Sequence, residues 1–224
     1  MRKAVSFLVG IALFSLLPVI GWGIYNIDGF TGNPYRLSFV VMMATLSLLV
    51  VIFVPNEGRG YGDGESQKLV QRQKLTILIL QIAPLLIVIL SPYFDRNHFL
   101  TFNENNLIRF TGLLLTFIGF SLMNWSAYVL GKQFSVNVTI QKDHKLITNE
   151  PYKYIKHPWY LGIFIFLTGI PLTFLSIMPI IIDILLLFVL IWRIKDEEEL
   201  MSQEFKDEWS KYSKITYSLF PFIY

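Results

Sequence analysis

The chain has 224 residues, 54% of them apolar and only 16% charged, with a net charge of +3. That length holds one domain, and that composition is more apolar than an ordinary soluble fold, which implies a membrane protein. The sequence contains no cysteine, so disulfides, thiolate zinc sites and a cysteine nucleophile are excluded.

The first apolar stretch runs from about Ala4 to Tyr25, behind Arg2 and Lys3. A signal core has about 7 to 15 apolar residues and a bilayer span about 20, and no small-x-small cleavage site follows, so this stretch reads as a retained first helix. Three further stretches, Arg36 to Pro55, Leu75 to Phe94 and Leu107 to Leu130, each suit one crossing. The next apolar run, Pro158 to Trp192, is interrupted by Pro171 and Pro179 and predicts a helical hairpin turning near Leu172 to Met178. Lipid offers backbone groups no water, so these segments must be helices. The expected fold is all-α, a polytopic membrane helix bundle of about six spans with a C-terminal helical hairpin and a cytoplasmic amphipathic helix. Residues 1–130 make a four-helix membrane region and residues 131–224 the connector, hairpin and C-terminal helix, within one structural domain.

The basic residues orient the bundle. Two precede the first helix, four lie in Asn56 to Lys74, five in Gly131 to His157 and five after Trp192; the remaining three are Arg36, Arg96 and Arg109. The positive-inside rule then puts both termini and both long polar segments in the cytoplasm. Clustering of lysine and arginine at the ends of apolar runs fits membrane topology and not nucleic acid. The glycine-rich stretch Glu57 to Glu65 lacks the Gly-Lys-Ser/Thr ending and preceding strand of a phosphate loop and reads as a loop. No dinucleotide fingerprint is present.

Two segments carry chemistry. The first, Gly131 to Gly169, is a polar connector leading through His157-Pro158-Trp159-Tyr160 into an apolar helix. Pro158 suits a first helical turn, where its missing donor costs nothing, and the amides just beyond favour an anion. The aromatic faces suit a sulfonium cation, although aromatics at such a position also serve as interfacial anchors. The second segment starts at Arg193 and Glu197, one turn apart on a shared helix face, and continues with Met201, Phe205, Trp209 and Tyr212 at helical spacing. Arg193 and Glu197 read either as a solvated pair or as a base and an acid holding a zwitterionic cofactor beside an anionic acceptor.

Taken in order, Gly-Lys-Gln-Phe-Ser, Leu-Ile-Thr-x-x-Pro-Tyr-Lys-Tyr-Ile-Lys-His-Pro-Trp-Tyr-Leu-Gly, Arg-Ile-x-x-Glu-Glu and Phe-x-x-Glu-Trp-x-x-Tyr resemble the isoprenylcysteine carboxyl methyltransferase and phospholipid methyltransferase superfamily over roughly Leu130 to Tyr224. The resemblance implies an S-adenosylmethionine-dependent methyltransferase acting on a membrane-borne or lipophilic acceptor in the bilayer, with residues 1–130 as the acceptor-binding part. It implies cofactor contacts at Asn137, His144, Lys145, Leu146, Ile147, Tyr152, His157, Pro158, Trp159, Tyr160 and Glu197, and a substrate-positioning arginine at Arg193. Glu150 stands where the family usually has glycine before Pro-Tyr, and Lys206 replaces the glycine usual after Phe205. An NADPH-dependent sterol or steroid reductase is the rival enzyme, sharing a His-Pro-x-Tyr element and an ending like Pro221 to Tyr224; the Arg-Ile-x-x-Glu-Glu run favours the methyltransferase. Asp183 and Gln81 within apolar segments keep a non-catalytic membrane protein or transporter as a third reading.

Overall fold

A computed structural model describes residues 8–53, 71–134 and 145–221. Among the described residues the regular structure is helical, with two isolated β-bridges and no strand. Seven helical segments organise it: α1 (Leu8–Trp22) and α2 (Ile24–Thr31), α3 (Pro34–Phe53), α4 (Gln71–Asn97), α5 (Asn106–Leu130), α6 (Pro158–Thr173) and α7 (Met178–Ile215).

The first apolar stretch is not one straight helix. Leu17 donates to the Ala12 carbonyl, a π-type bond just ahead of Pro18, whose ring has no amide to continue the α pattern. At Gly23 the backbone takes φ 108°, and the chain bends by 78° into α2. Among the described residues, α3, α4 and α5 are the helices long and apolar enough to cross a membrane singly, which makes four spans if the bent α1–α2 pair crosses as one. This falls short of the expected six, and the reason is local. Helix α6 has 16 residues, about 24 Å of rise against a hydrocarbon core of about 30 Å. The apolar part of α7 stops at Arg193, while its helix runs on to Ile215. The break between α6 and α7 falls at residues 174–177, with Leu175 at φ 51°.

Helices α5 and α6 approach most closely. A Cβ added to Gly119 would overlap the Phe166 amide nitrogen, and one on Gly169 would overlap that of Thr116. Small residues thus let two backbones touch, the usual device for helix association in lipid. One apolar core, with Phe39 (α3), Ile87 (α4), Phe120 (α5), Phe166 (α6) and Leu186 (α7), joins the five long helices.

At one end of the bundle the three arginines outside the basic clusters are all engaged. Arg109 grips Asp95 with both terminal nitrogens (2.9 and 3.0 Å), Glu104 through Nε (2.7 Å) and the Thr173 carbonyl (2.9 Å). Arg36 donates to Asp95 at 2.8 Å and lies 4.1 Å from the Trp22 ring centroid. Arg96 donates to the Trp22 carbonyl. Asp183, on the apolar part of α7, is buried and meets the Thr168 hydroxyl of α6 at 2.6 Å.

Candidate active site

The opposite end of α5 opens onto a cavity with about 840 Å³ of empty space, part of it continuous with solvent. The start of α6 forms its floor. His157 is the N-cap residue and supplies no side-chain cap, and Pro158 takes the first position, where its missing amide is no loss. The first-turn amides therefore have no side-chain acceptor from the cap and present the positive end of the helix.

Helix α7 brings its acids to this floor. Arg193 Nε donates to the Tyr160 hydroxyl at 2.9 Å, and that hydroxyl donates to Glu197 Oε2 at 2.7 Å. The spacing of Arg193 and Glu197 gives them one face, and Tyr160 from the neighbouring helix bridges them. Glu198, one position on, takes three donors on Oε1: Lys156 Nζ at 2.8 Å, Ser218 Oγ at 2.7 Å and His157 Nε2 at 3.1 Å. Burial pushes the Glu198 carboxyl up, but the hydrogen bonds from His157, Lys156 and Ser218 outweigh it and pull the group down to about 2.

Residues 216–219 close the site as a strap. Lys156 and His157 donate their amides to the Tyr217 and Ser218 carbonyls (2.8 and 3.1 Å), and Tyr217 donates to the Tyr154 carbonyl (3.2 Å), so that Ile155 and Tyr217 form a parallel bridge. Leu219 is fully buried behind Tyr160 and Leu161. Tyr212 donates to the Tyr152 carbonyl at 2.7 Å, and Tyr152 to that of Ser126 at 3.3 Å. Burial pushes the pKa of both phenols up, keeping them protonated and so donors.

Of the residues singled out by sequence, Lys145, Leu146, Ile147, Tyr152, His157, Pro158, Trp159, Tyr160 and Glu197 line this one cavity. Asn137 and His144 lie outside the described residues, as does the glycine-rich stretch. Arg193 is buried (3% exposed) behind Tyr160 and is not part of the lining. The wall also contains residues not assigned a cofactor contact from sequence, among them Gln133, Phe134, Lys156, Trp209 and Tyr212, which stand within the quoted motifs, and Leu200, which does not. Gln133 Oε1 accepts the Lys145 amide at 3.0 Å, and Phe134 packs edge-on to Trp159. The stripe of Met201, Trp209 and Tyr212 carried a signal, read as a face resting on bundle or bilayer. All three line the cavity, Met201 ahead of Lys206 and Trp209 and Tyr212 beyond it, where α7 is interrupted by φ 44° and ψ −112°.

Residues 112–203, from mid-α5 into the acidic turn of α7, match the isoprenylcysteine carboxyl methyltransferase family. Over that stretch the chain is similar to that family. Similar proteins include a probable protein-S-isoprenylcysteine O-methyltransferase from Oryza sativa subsp. indica, 27% identical over 119 residues, which cover 52% of this chain and 62% of the rice protein. A protein-S-isoprenylcysteine O-methyltransferase from Schizosaccharomyces pombe is 29% identical over 140 residues, 53% of this chain and 57% of the yeast protein. The matches thus span about three-fifths of these relatives' length. Both of these relatives are named as methyltransferases, not as reductases or transporters.

Proposed function

We propose that the chain is an S-adenosylmethionine-dependent methyltransferase whose acceptor is lipophilic and reaches the site from the bilayer, as a prenylated cysteine carboxylate would. The observation that carries this reading is the Arg193–Tyr160–Glu197 relay set across the uncapped start of α6, at the floor of an aromatic-walled cavity.

The donor set fits the cofactor. An amino-acid ligand needs an anion for its ammonium and donors for its carboxylate, and here Glu197 stands beside helix-start amides. Trp159, Phe134, Trp209 and Tyr212 offer ring faces and edges to an adenosine and to a positive sulfur. When bound, S-adenosylmethionine supplies a methyl group made electrophilic by the sulfonium. The chain's own residues bind and align. Glu197 holds an ammonium, Tyr160 fixes Glu197, and Arg193 fixes Tyr160. An acceptor carboxylate is already ionised at neutral pH, so no base is required and alignment supplies much of the acceleration. Arg193 is the residue we assign to position that carboxylate, acting from behind Tyr160 through the hydroxyl it holds and through its charge, since it does not line the cavity.

In the same reading α6 and the apolar half of α7 also sit in the bilayer as a hairpin, giving six spans with both termini cytoplasmic. Residues 1–130 contribute the acceptor side.

Calorimetry on purified protein in detergent tests the site. We expect S-adenosylhomocysteine to bind, NADPH not to, and Glu197→Gln and His157→Ala to weaken binding at least tenfold while the fold persists. Unchanged affinity in both variants would sink the site; thermal stabilisation by NADPH alone would sink the activity. Labelled cofactor with prenylcysteine and phospholipid acceptors then identifies the acceptor.

A further inference from the structure

We propose that Glu198 is a positioning residue: it fixes the His157 ring with the proton on Nε2, so that Nδ1 serves the cavity as an acceptor for a ligand N–H or O–H. The inference rests on the proposed cofactor site and adds a role that the motif spacing does not supply.

The geometry leaves the ring little choice. His157 is 4% exposed and lines the cavity. Its Nε2 lies 3.1 Å from Glu198 Oε1, an oxygen that also receives Lys156 and Ser218. An ionised carboxylate accepts only, so Nε2 must be the donor, and in a neutral imidazole Nδ1 is then the acceptor. The arrangement is held from three directions: Glu198 from α7, Lys156 from the connector ahead of α6, and Ser218 from the strap. The His157 amide is pinned in addition to the Ser218 carbonyl at 3.1 Å. Ring and backbone of His157 are therefore both tied to the strap, the ring through Glu198. An acceptor nitrogen fixed in this way suits the polar groups of an adenosyl amino acid, its ammonium or its ribose hydroxyls. The neighbouring Glu197 is committed to Tyr160 through Oε2, so the two adjacent acids divide the labour: one meets the ligand, the other orients the ring that meets it.

The sequence has three histidines, so nitrogen-15 spectra of histidine-labelled protein in nanodiscs, with His157→Ala to assign the signal, report the tautomer directly. We expect His157 to show the Nε2-protonated pattern. Glu198→Ala should lose it and weaken S-adenosylhomocysteine binding about tenfold. Glu198→Gln, which keeps an acceptor oxygen, should retain the tautomer and bind within about threefold of wild type. Ser218→Ala, which leaves the carboxylate in place, should show an intermediate loss. If Glu198→Ala keeps both tautomer and affinity, or if Gln and Ala lose affinity equally while folded, the positioning role is overturned with the proposed function intact. A wild type without affinity for the ligand overturns both.

Discussion

Tyr160 sits between two charges of one helix face, and its hydroxyl is the only group in the relay that both accepts and donates. Tyr160→Phe keeps the ring but leaves Arg193 Nε, on a side chain 3% exposed, without that acceptor. An unmet buried charged donor costs about 1–3 kcal/mol, so thermal unfolding should shift down measurably and cofactor affinity should fall with it. Glu198 gives the site its acid sensitivity. Its carboxyl is depressed in the folded chain, so the stability it contributes is complete above about pH 4.5 and is lost as pH falls toward about 2. Acid unfolding followed by circular dichroism should therefore be steeper over that interval in wild type than in Glu198→Gln. Arg193 and Glu197 were legible in the sequence because they are one helical turn apart, and the residues around His157 because they form a run. Glu198 with Ser218, 20 positions away, was not: no periodicity relates a helix to a strap that returns from its far end.

Lys206 shows how one backbone position decides where an element points. A lysine at φ 44° and ψ −112° occupies a region that favours glycine, and the chain needs that reversal to carry Trp209 and Tyr212 onto the cavity. Lys206→Gly should relieve about 1–3 kcal/mol of strain against about 0.5–1 kcal/mol of added unfolded-state freedom, a net gain near 1 kcal/mol. The unfolding midpoint should rise by a few degrees, whereas Lys206→Ala, which keeps a Cβ, should gain none of it. The substituted glycine was visible in sequence; the direction of the turn was not, since a stripe of apolar residues looks alike whether it faces bilayer or ligand. At α5–α6 the opposite case holds. Gly119→Ala puts a methyl into the Phe166 backbone, which cannot rotate aside, so the helices must separate. Loss of about 1–3 kcal/mol is expected, read as earlier unfolding in detergent. The helices themselves were largely foreseen from hydrophobic runs, but the bend at Gly23 and the shortness of α6 were not, because run length measures apolarity and not where the helix stops.

Across the whole molecule the two polar centres lie at opposite ends of α5, about 30 Å apart by helical rise between Arg109 and Leu130. The cluster of Arg36, Asp95, Glu104 and Arg109 is the structural one. Side chains of Glu104 and Arg109 pair so closely that the Glu104 carboxyl is held below its usual range by its hydrogen bond to Arg109, with burial opposing. Asp95→Asn would remove the carboxylate that the buried Arg36 and Arg109 share, leaving Arg109 to Glu104 and the Thr173 carbonyl, and should cost about 3–5 kcal/mol of stability. The surviving folded protein should still bind S-adenosylhomocysteine within twofold of wild type, a dissociation of stability from site that calorimetry after denaturant titration can record. Charge counting had separated these arginines from the basic clusters, and the structure shows them held by acids the count did not weigh.

The strap has a consequence in time. Because residues 216–219 supply carbonyls to Lys156 and His157, and Ser218 a hydroxyl to Glu198, the floor of the cavity is assembled only after those residues have left the ribosome. A nascent chain already threaded into its bilayer would hold α3 to α6 in place yet have no finished pocket. A protease that clips behind Ile215 would return the mature protein to that earlier stage, leaving an inserted bundle unable to hold its ligand.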